Sequence, residues 1–138
     1  MGTYTENADK VGLAESVIES LAIESLAQRK DKPDMVTTSQ VRKFLTAVNT
    51  VTGKIEQYRN EHGQAETLSP ELAVQVKFLK VKLAYQVGRG DQKIKSFAEK
   101  ADLMAAIESI GNDVKKYEEF ARYVEALVAF HKYRGGKD

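Results

Sequence analysis

The sequence predicts an all-α fold, a compact bundle of about five helices, and three observations carry that expectation. Proline occurs only at Pro33 and Pro70, so long stretches contain no strong helix breaker. Within those stretches apolar residues recur with a 3.6-residue period. The one segment that alternates like a strand, Val74 to Leu83, changes phase midway. A continuous strand there would turn half of its apolar side chains to the wrong face.

Each element can be justified in order. Met1 to Lys10 is polar and acidic, with no basic n-region and no apolar core of a signal peptide, so residues 1–12 are expected to be a poorly ordered tail. The first helix is expected from about Leu13 to Gln28. Leu13, Val17, Ile18, Leu21, Ala22 and Leu26 form its broad apolar stripe, and Glu15, Glu19 and Glu24 its exposed side. A polar loop around Pro33 follows. Thr37 and Gln40 have the capping-box spacing, and Val41, Phe44, Leu45, Val48, Val51, Ile55 and Tyr58 then keep phase. Gly53 lies inside that helix, at a propensity cost of about 1 kcal/mol, and Gly63 ends it.

Ser69-Pro70 opens the third helix, with a hydroxyl at the cap and a preset φ at the first helical position. It is expected over about 70–87, stopped by Gly88 and Gly90. Leu72, Val76, Leu79, Leu83 and Val87 form one apolar stripe; Val74, Phe78, Val81 and Tyr85 form a second. Two stripes predict a central helix packed on both sides. The fourth helix is expected from about Asp91 to Ile110, with Ile94, Phe97, Ala98, Ala101, Met104 and Ile107 inward and Gly111 closing it. Asn112 should cap the fifth, whose apolar side runs from Val114 through Tyr117, Ala121, Val124 and Val128 to His131. Gly135 and Gly136 release the chain. One helical domain, 13–138, accounts for the length, since single domains cluster at about 100–150 residues.

Composition narrows the function. No run approaches the roughly 18 apolar residues of a membrane span, and the absence of Cys excludes disulfides, thiolate metal sites and a Cys nucleophile. The expected setting is cytoplasmic. Only two histidines exist: His62 at a loop start and His131 on the last helix's apolar stripe, where a packing role is the ordinary one. There is no HExxH, no Glu-x-x-His pair and no phosphate loop, because Gly88-Arg89-Gly90 is too short and lacks the Gly-Lys-Ser/Thr ending. Catalytic residues, metal and cofactor are therefore expected to be none.

Charge is more informative in its distribution than in its net value of +1. Residues 1–40 carry −3, residues 41–100 carry +5 and residues 101–138 carry −1. A basic middle between acidic flanks can steer an anion even on a nearly neutral protein. The candidates for contact with a phosphate backbone are Arg42, Lys43, Lys54, Lys80, Lys82, Arg89, Lys132, Arg134 and Lys137. Arg42 and Lys43 lie near a helix N-terminus, which itself favours phosphate. Any one of these cations reads most simply as a solvated surface charge; as a group they can form a contact surface.

Three stretches carry a resemblance: Thr37-Thr38-Ser39-Gln40-Val41-Arg42-Lys43-Phe44, then Leu79 to Arg89, then Phe120 to Asp138 with its Gly-Gly-Lys ending. In order and spacing the chain resembles, over about residues 13–138, the small subunit of the type III-A CRISPR effector, the Csm complex. Phe130 stands where a Tyr is common. The resemblance implies a non-catalytic helical subunit that stacks in several copies along the channel where guide RNA pairs with target RNA. It implies contact with the backbone-forming subunits that cut the target and with the large polymerase-like subunit, and no membrane. The residues alone leave open a helical protein–protein adaptor with no direct RNA contact.

Overall fold

The computed structural model describes residues 3–26, 36–90 and 92–135. It is all-α. Six helices follow one another: α1 (Lys10–Leu26), α2 (Thr38–Glu61), α3 (Pro70–Arg89), α4 (Gln92–Lys100), α5 (Leu103–Ile110) and α6 (Val114–Tyr133). The loop expected around Pro33, the helix start at Asp91, Gly136 and Lys137 lie outside the described residues.

The caps explain where the chain turns. Asp9 accepts the Gly12 N–H at 2.8 Å, so α1 starts three residues before the apolar stripe does. At α2 the expected capping box is present: Thr37 Oγ1 accepts from Gln40 N, and Gln40 Oε1 from Thr37 N. Beyond the α2 C-cap, His62, Gly63 adopts φ +63°, a left-handed value that costs a glycine nothing. Ser69 caps α3 through the Leu72 N–H, with Pro70 first in the helix. The cap of α6 is Asp113, one residue beyond the expected Asn112, and it accepts from Lys116 N. Asn112 instead gives its carbonyl to Leu68 N at 2.8 Å, while Val114 N donates to the Glu66 carbonyl, tying two loops together.

α6 is the axis of the core, packed against α1, α2 and α5. Its buried side runs Val114, Tyr117, Phe120, Tyr123, Val124, Leu127 and His131. Phe120 makes ring contacts at 6.4–6.5 Å with Tyr4, Phe44 and Tyr117. α3 packs against α2, α5 and α4.

Four expectations change. The tail predicted over residues 1–12 is not loose at Tyr4, which is 3% exposed, lies 4.9 Å from the Tyr123 ring and donates its N–H to Asp102 Oδ2 at 2.9 Å. The single helix expected from Asp91 to Ile110 is broken into α4 and α5 at Asp102, whose φ is +56°. The Ala101 carbonyl, freed near the break, accepts from the Tyr123 hydroxyl at 2.8 Å. Met104, expected inward, is 36% exposed. Finally, α3 is not packed on both sides: Leu72, Val76, Leu79 and Leu83 are buried, but Val74, Phe78, Val81 and Tyr85 face solvent.

Candidate nucleic-acid interface

α2 and α3 run antiparallel as a helical hairpin, since Gln40 meets Gln86 at one end and Lys54 meets Gln75 further along. Their apolar sides point to the core, so the groove between their outer edges collects what the two amphipathic patterns leave outside. At the upper end is a cleft of about 340 Å³ lined by Gln40, Lys43, Lys82, Tyr85, Gln86 and Arg89 over an apolar floor including Phe44 and Ile94. Gln86 closes it by donating to the Gln40 carbonyl at 2.6 Å. The Arg89 guanidinium lies over the Tyr85 ring, 5.4 Å from its centroid, which holds the cation beside the cleft. Below it a second cavity of about 240 Å³ contains Lys54, Gln75, Phe78 and, again, Lys82. Lys54 Nζ donates to Gln75 Oε1 at 2.9 Å.

Four of the expected cations thus share one groove: Lys43, Lys54, Lys82 and Arg89. Among the described residues neither cavity is lined by an Asp or Glu. Such a lining attracts and hydrogen-bonds an anion and offers no carboxylate that could act as a base. The remaining candidates are elsewhere. Arg42 is exposed on α2 beside Lys43 but outside both cavities. Lys80 projects from the other side of α3 and is ion-paired with Glu108 of α5, whose carboxyl the lysine's hydrogen bond and charge hold below the usual range. Lys132 and Arg134 are exposed at the far end of α6, and Lys137 is outside the described residues.

The α2 N-terminus is not the open phosphate site expected near Arg42 and Lys43. Two of its backbone donors are consumed by the capping box, and Thr38 is 4% exposed. His131 accounts for that burial. Its Nε2 lies against the Val36 carbonyl and its Nδ1 is 3.4 Å from Thr38 Oγ1, so it fastens the end of α6 to the start of α2. In the neutral ring the carbonyl partner requires the N–H on His131 Nε2, which leaves Nδ1 to accept from the Thr38 hydroxyl. His62 lies on the opposite end of α2, stacked on Tyr58 and hydrogen-bonded to its carbonyl. Among the described residues no group of three or more His, Cys, Asp or Glu side chains could hold a metal, and no helix is long and apolar enough to cross a membrane.

Sequence reasoning missed Gln40, Gln86 and Tyr85 as parts of the groove. Gln40 was absorbed by its cap role, and Gln86 sits at the border of the two α3 stripes, a position that carries no distinct signal.

A family model described as Csm2 Type III-A matches residues 15–137. The chain is 34% identical over 115 residues to the CRISPR system Cms protein Csm2 of Streptococcus thermophilus, covering 83% of this chain and 86% of that protein. It is 34% identical over 122 residues to the protein of the same name from Mycobacterium tuberculosis strain CDC 1551, covering 88% and 93%. The likeness to the Enterococcus italicus Csm2 is 33% over 100 residues, 71% of this chain and 67% of that one. A match spanning nearly all six helices, with a third of the residues identical to relatives of similar length, settles the point to which the three sequence stretches led: the chain belongs to the Csm2 family, the small subunit of the type III-A system.

Proposed function

We propose that the chain is a non-catalytic subunit of a cytoplasmic, type III-A RNA-guided complex. In this reading several copies stack along the guide–target channel and hold RNA by its backbone without reading sequence. The observation that carries it is the α2–α3 groove, where Lys43, Lys82 and Arg89 converge on a cleft with no carboxylate among its described lining residues. Backbone recognition asks for cations and polar side chains, and this groove is lined by lysine, arginine and glutamine. Guide pairing supplies the sequence information, so no base-reading side chains are needed. The backbone-forming subunits, the large polymerase-like subunit, guide RNA, target RNA and further copies of this chain are the proposed partners. Arg42 extends the groove's charge, and Lys132 and Arg134 form a separate basic end; Lys137, outside the described residues, is proposed as an RNA contact from its sequence alone.

The adaptor reading, with no RNA contact, draws support from the uncovered apolar residues of α3. RNA titrations at two salt concentrations separate the two. Lys43→Glu combined with Lys82→Glu should weaken binding of single-stranded or guide–target duplex RNA about tenfold or more. It should also flatten the log–log salt slope by roughly 0.7–0.9 per lost phosphate contact. Lys80→Glu, on the other side of α3, should change neither appreciably. Unchanged affinity and salt slope in the double variant would overturn the RNA reading in favour of the adaptor.

A further inference from the structure

Three aromatic side chains among the described residues are more than half exposed: Phe78, Tyr85 and Tyr133. Phe44, Phe97, Tyr117, Phe120 and Tyr123 are at most 4% exposed, so most rings of this chain are spent on the core. Phe78, 51% exposed, stands at the lower cavity of the α2–α3 groove, and Tyr85, 66% exposed, at the upper cleft. Val74 lies beside Phe78 in the lower cavity, while Val81 is outside both linings.

The two groove rings alternate with cations. Phe78, Lys82, Tyr85 and Arg89 occupy positions i, i+4, i+7 and i+11 of α3, one line along the helix in which ring and cation succeed each other turn by turn. Lys54 flanks the first ring from α2, and Lys43 the second. The Arg89 guanidinium steadies the Tyr85 ring and still leaves the residue mostly open. The rings are seven residues apart, about 10 Å along the axis at 1.5 Å per residue. Bases of a helical strand follow one another at about 3.4 Å, so two neighbours in a stacked strand do not reach both rings.

We propose that the groove takes an unpaired stretch of RNA, drawn out so that one base stacks on Phe78 and another on Tyr85. Lys43, Lys54, Lys82 and Arg89 then hold the phosphates between and beside those bases. This rests on the reading that the groove binds RNA, and it states which form of RNA the groove takes. A paired helix keeps its base faces stacked inside and shows a protein its phosphates, 2′-hydroxyls and base edges, so two exposed rings gain nothing from it. An unpaired nucleotide brings one anion and one π-face per unit, the alternation that α3 carries. An acidic protein segment matches the cations but has no such repeat of flat faces. Every base has a π-face, so a site built this way stays blind to sequence.

Both rings are exposed, so replacement by Leu keeps an apolar side chain and removes the π-face without opening the core. Affinities of the full-length chain are measured for an unstructured single-stranded RNA, its blunt duplex and an abasic strand of equal length, at two salt concentrations. Phe78→Leu and Tyr85→Leu should each weaken single-strand binding about fivefold or more, whereas Phe78→Tyr and Tyr85→Phe should retain it. The salt slope should not move, because a base on a ring releases no counterion. Duplex and abasic binding should not move either. Val11→Ala, at an exposed apolar residue of α1, should change nothing. Equal losses on all three ligands would overturn the stacking and leave the RNA groove intact. So would unchanged affinity in the Leu variants while Lys43→Glu with Lys82→Glu still weakens binding. Leu variants that bind RNA normally but no longer enter reconstituted complexes would overturn it as well, assigning the rings to a protein contact. Unchanged affinity in every variant, the lysine pair included, would overturn both readings.

Discussion

Tyr117 shows how much a single side chain carries here. Its ring is 1% exposed, and its hydroxyl donates to the Val48 carbonyl at 2.7 Å and meets Thr52 Oγ1 at 2.9 Å. Burial raises its pKa from 10.0 to about 12, against a smaller lowering by the Thr52 hydrogen bond. Burial likewise pushes Tyr4 and Tyr123 well above the ordinary value, with Glu119 adding to the first and Tyr4 and Asp102 to the second. A folded-state pKa above the unfolded one means stability is fully present below pH 10. It is lost as pH rises, because the unfolded chain gives up protons that the folded chain keeps. Each such tyrosine steepens the loss by up to about 1.4 kcal/mol per pH unit. Urea unfolding should therefore show a plateau below pH 10 and a fall from there through about pH 12. Tyr117→Phe should cost about 1 kcal/mol at pH 8 for the lost hydrogen bond and should make the alkaline fall shallower. Gly53 offers a change of the opposite sign. It is exposed within α2, and a Cβ there would meet nothing within 4 Å. Gly53→Ala should stabilise the chain by roughly 0.5–1 kcal/mol in the same unfolding measurement.

Among the elements, α2 and α3 were legible in the sequence because their caps are local. Thr37 with Gln40, and Ser69 with Pro70, fix each start with side chains within three residues of it. The α4–α5 break was not legible. Lys100-Ala101-Asp102-Leu103 contains neither Gly nor Pro, and the left-handed turn at Asp102 is held by Tyr4 N–H and by the Tyr123 hydroxyl on Ala101, partners 98 and 22 residues away. The two stripes of α3 were read correctly as apolar, and only the packing behind the second was wrong: an uncovered face and a twice-packed one have the same periodicity. The strap at Tyr4 was missed for a related reason, since one aromatic in a polar run gives no period to detect. It predicts that Tyr4→Ala costs about 3–5 kcal/mol, the usual range for deleting a buried aromatic. Thr3→Ala, at an exposed neighbour, should cost less than about 0.5 kcal/mol. Thermal or urea unfolding of the two variants checks this, and equal values would place residues 3–9 outside the cooperative unit.

At the scale of the whole molecule, the basic middle segment read from sequence is divided by the fold. Lys43, Lys54, Lys82 and Arg89 share the groove, Lys80 is taken up by Glu108, and Lys132 and Arg134 lie apart. Segment charge could locate the helices that hold the groove but not which face each cation takes, because that depends on how α2 and α3 are rotated against the core. The same arrangement keeps both histidines out of the groove, one buried between α2 and α6 and one stacked at the α2 C-terminus. In the proposed reading the subunit contributes binding and not chemistry. In reconstituted complexes, single-turnover cleavage of target RNA at saturating target should proceed at the unaltered rate with His62→Ala and His131→Asn together, provided gel filtration shows intact assembly. The Asn keeps a polar group near Val36 and Thr38 and limits the cavity that Ala would leave. Losing a general acid or base removes about 10²–10⁴ in rate. A fall of that size in an intact complex would show that one of these histidines reaches the reacting RNA and that the subunit takes part in the chemistry.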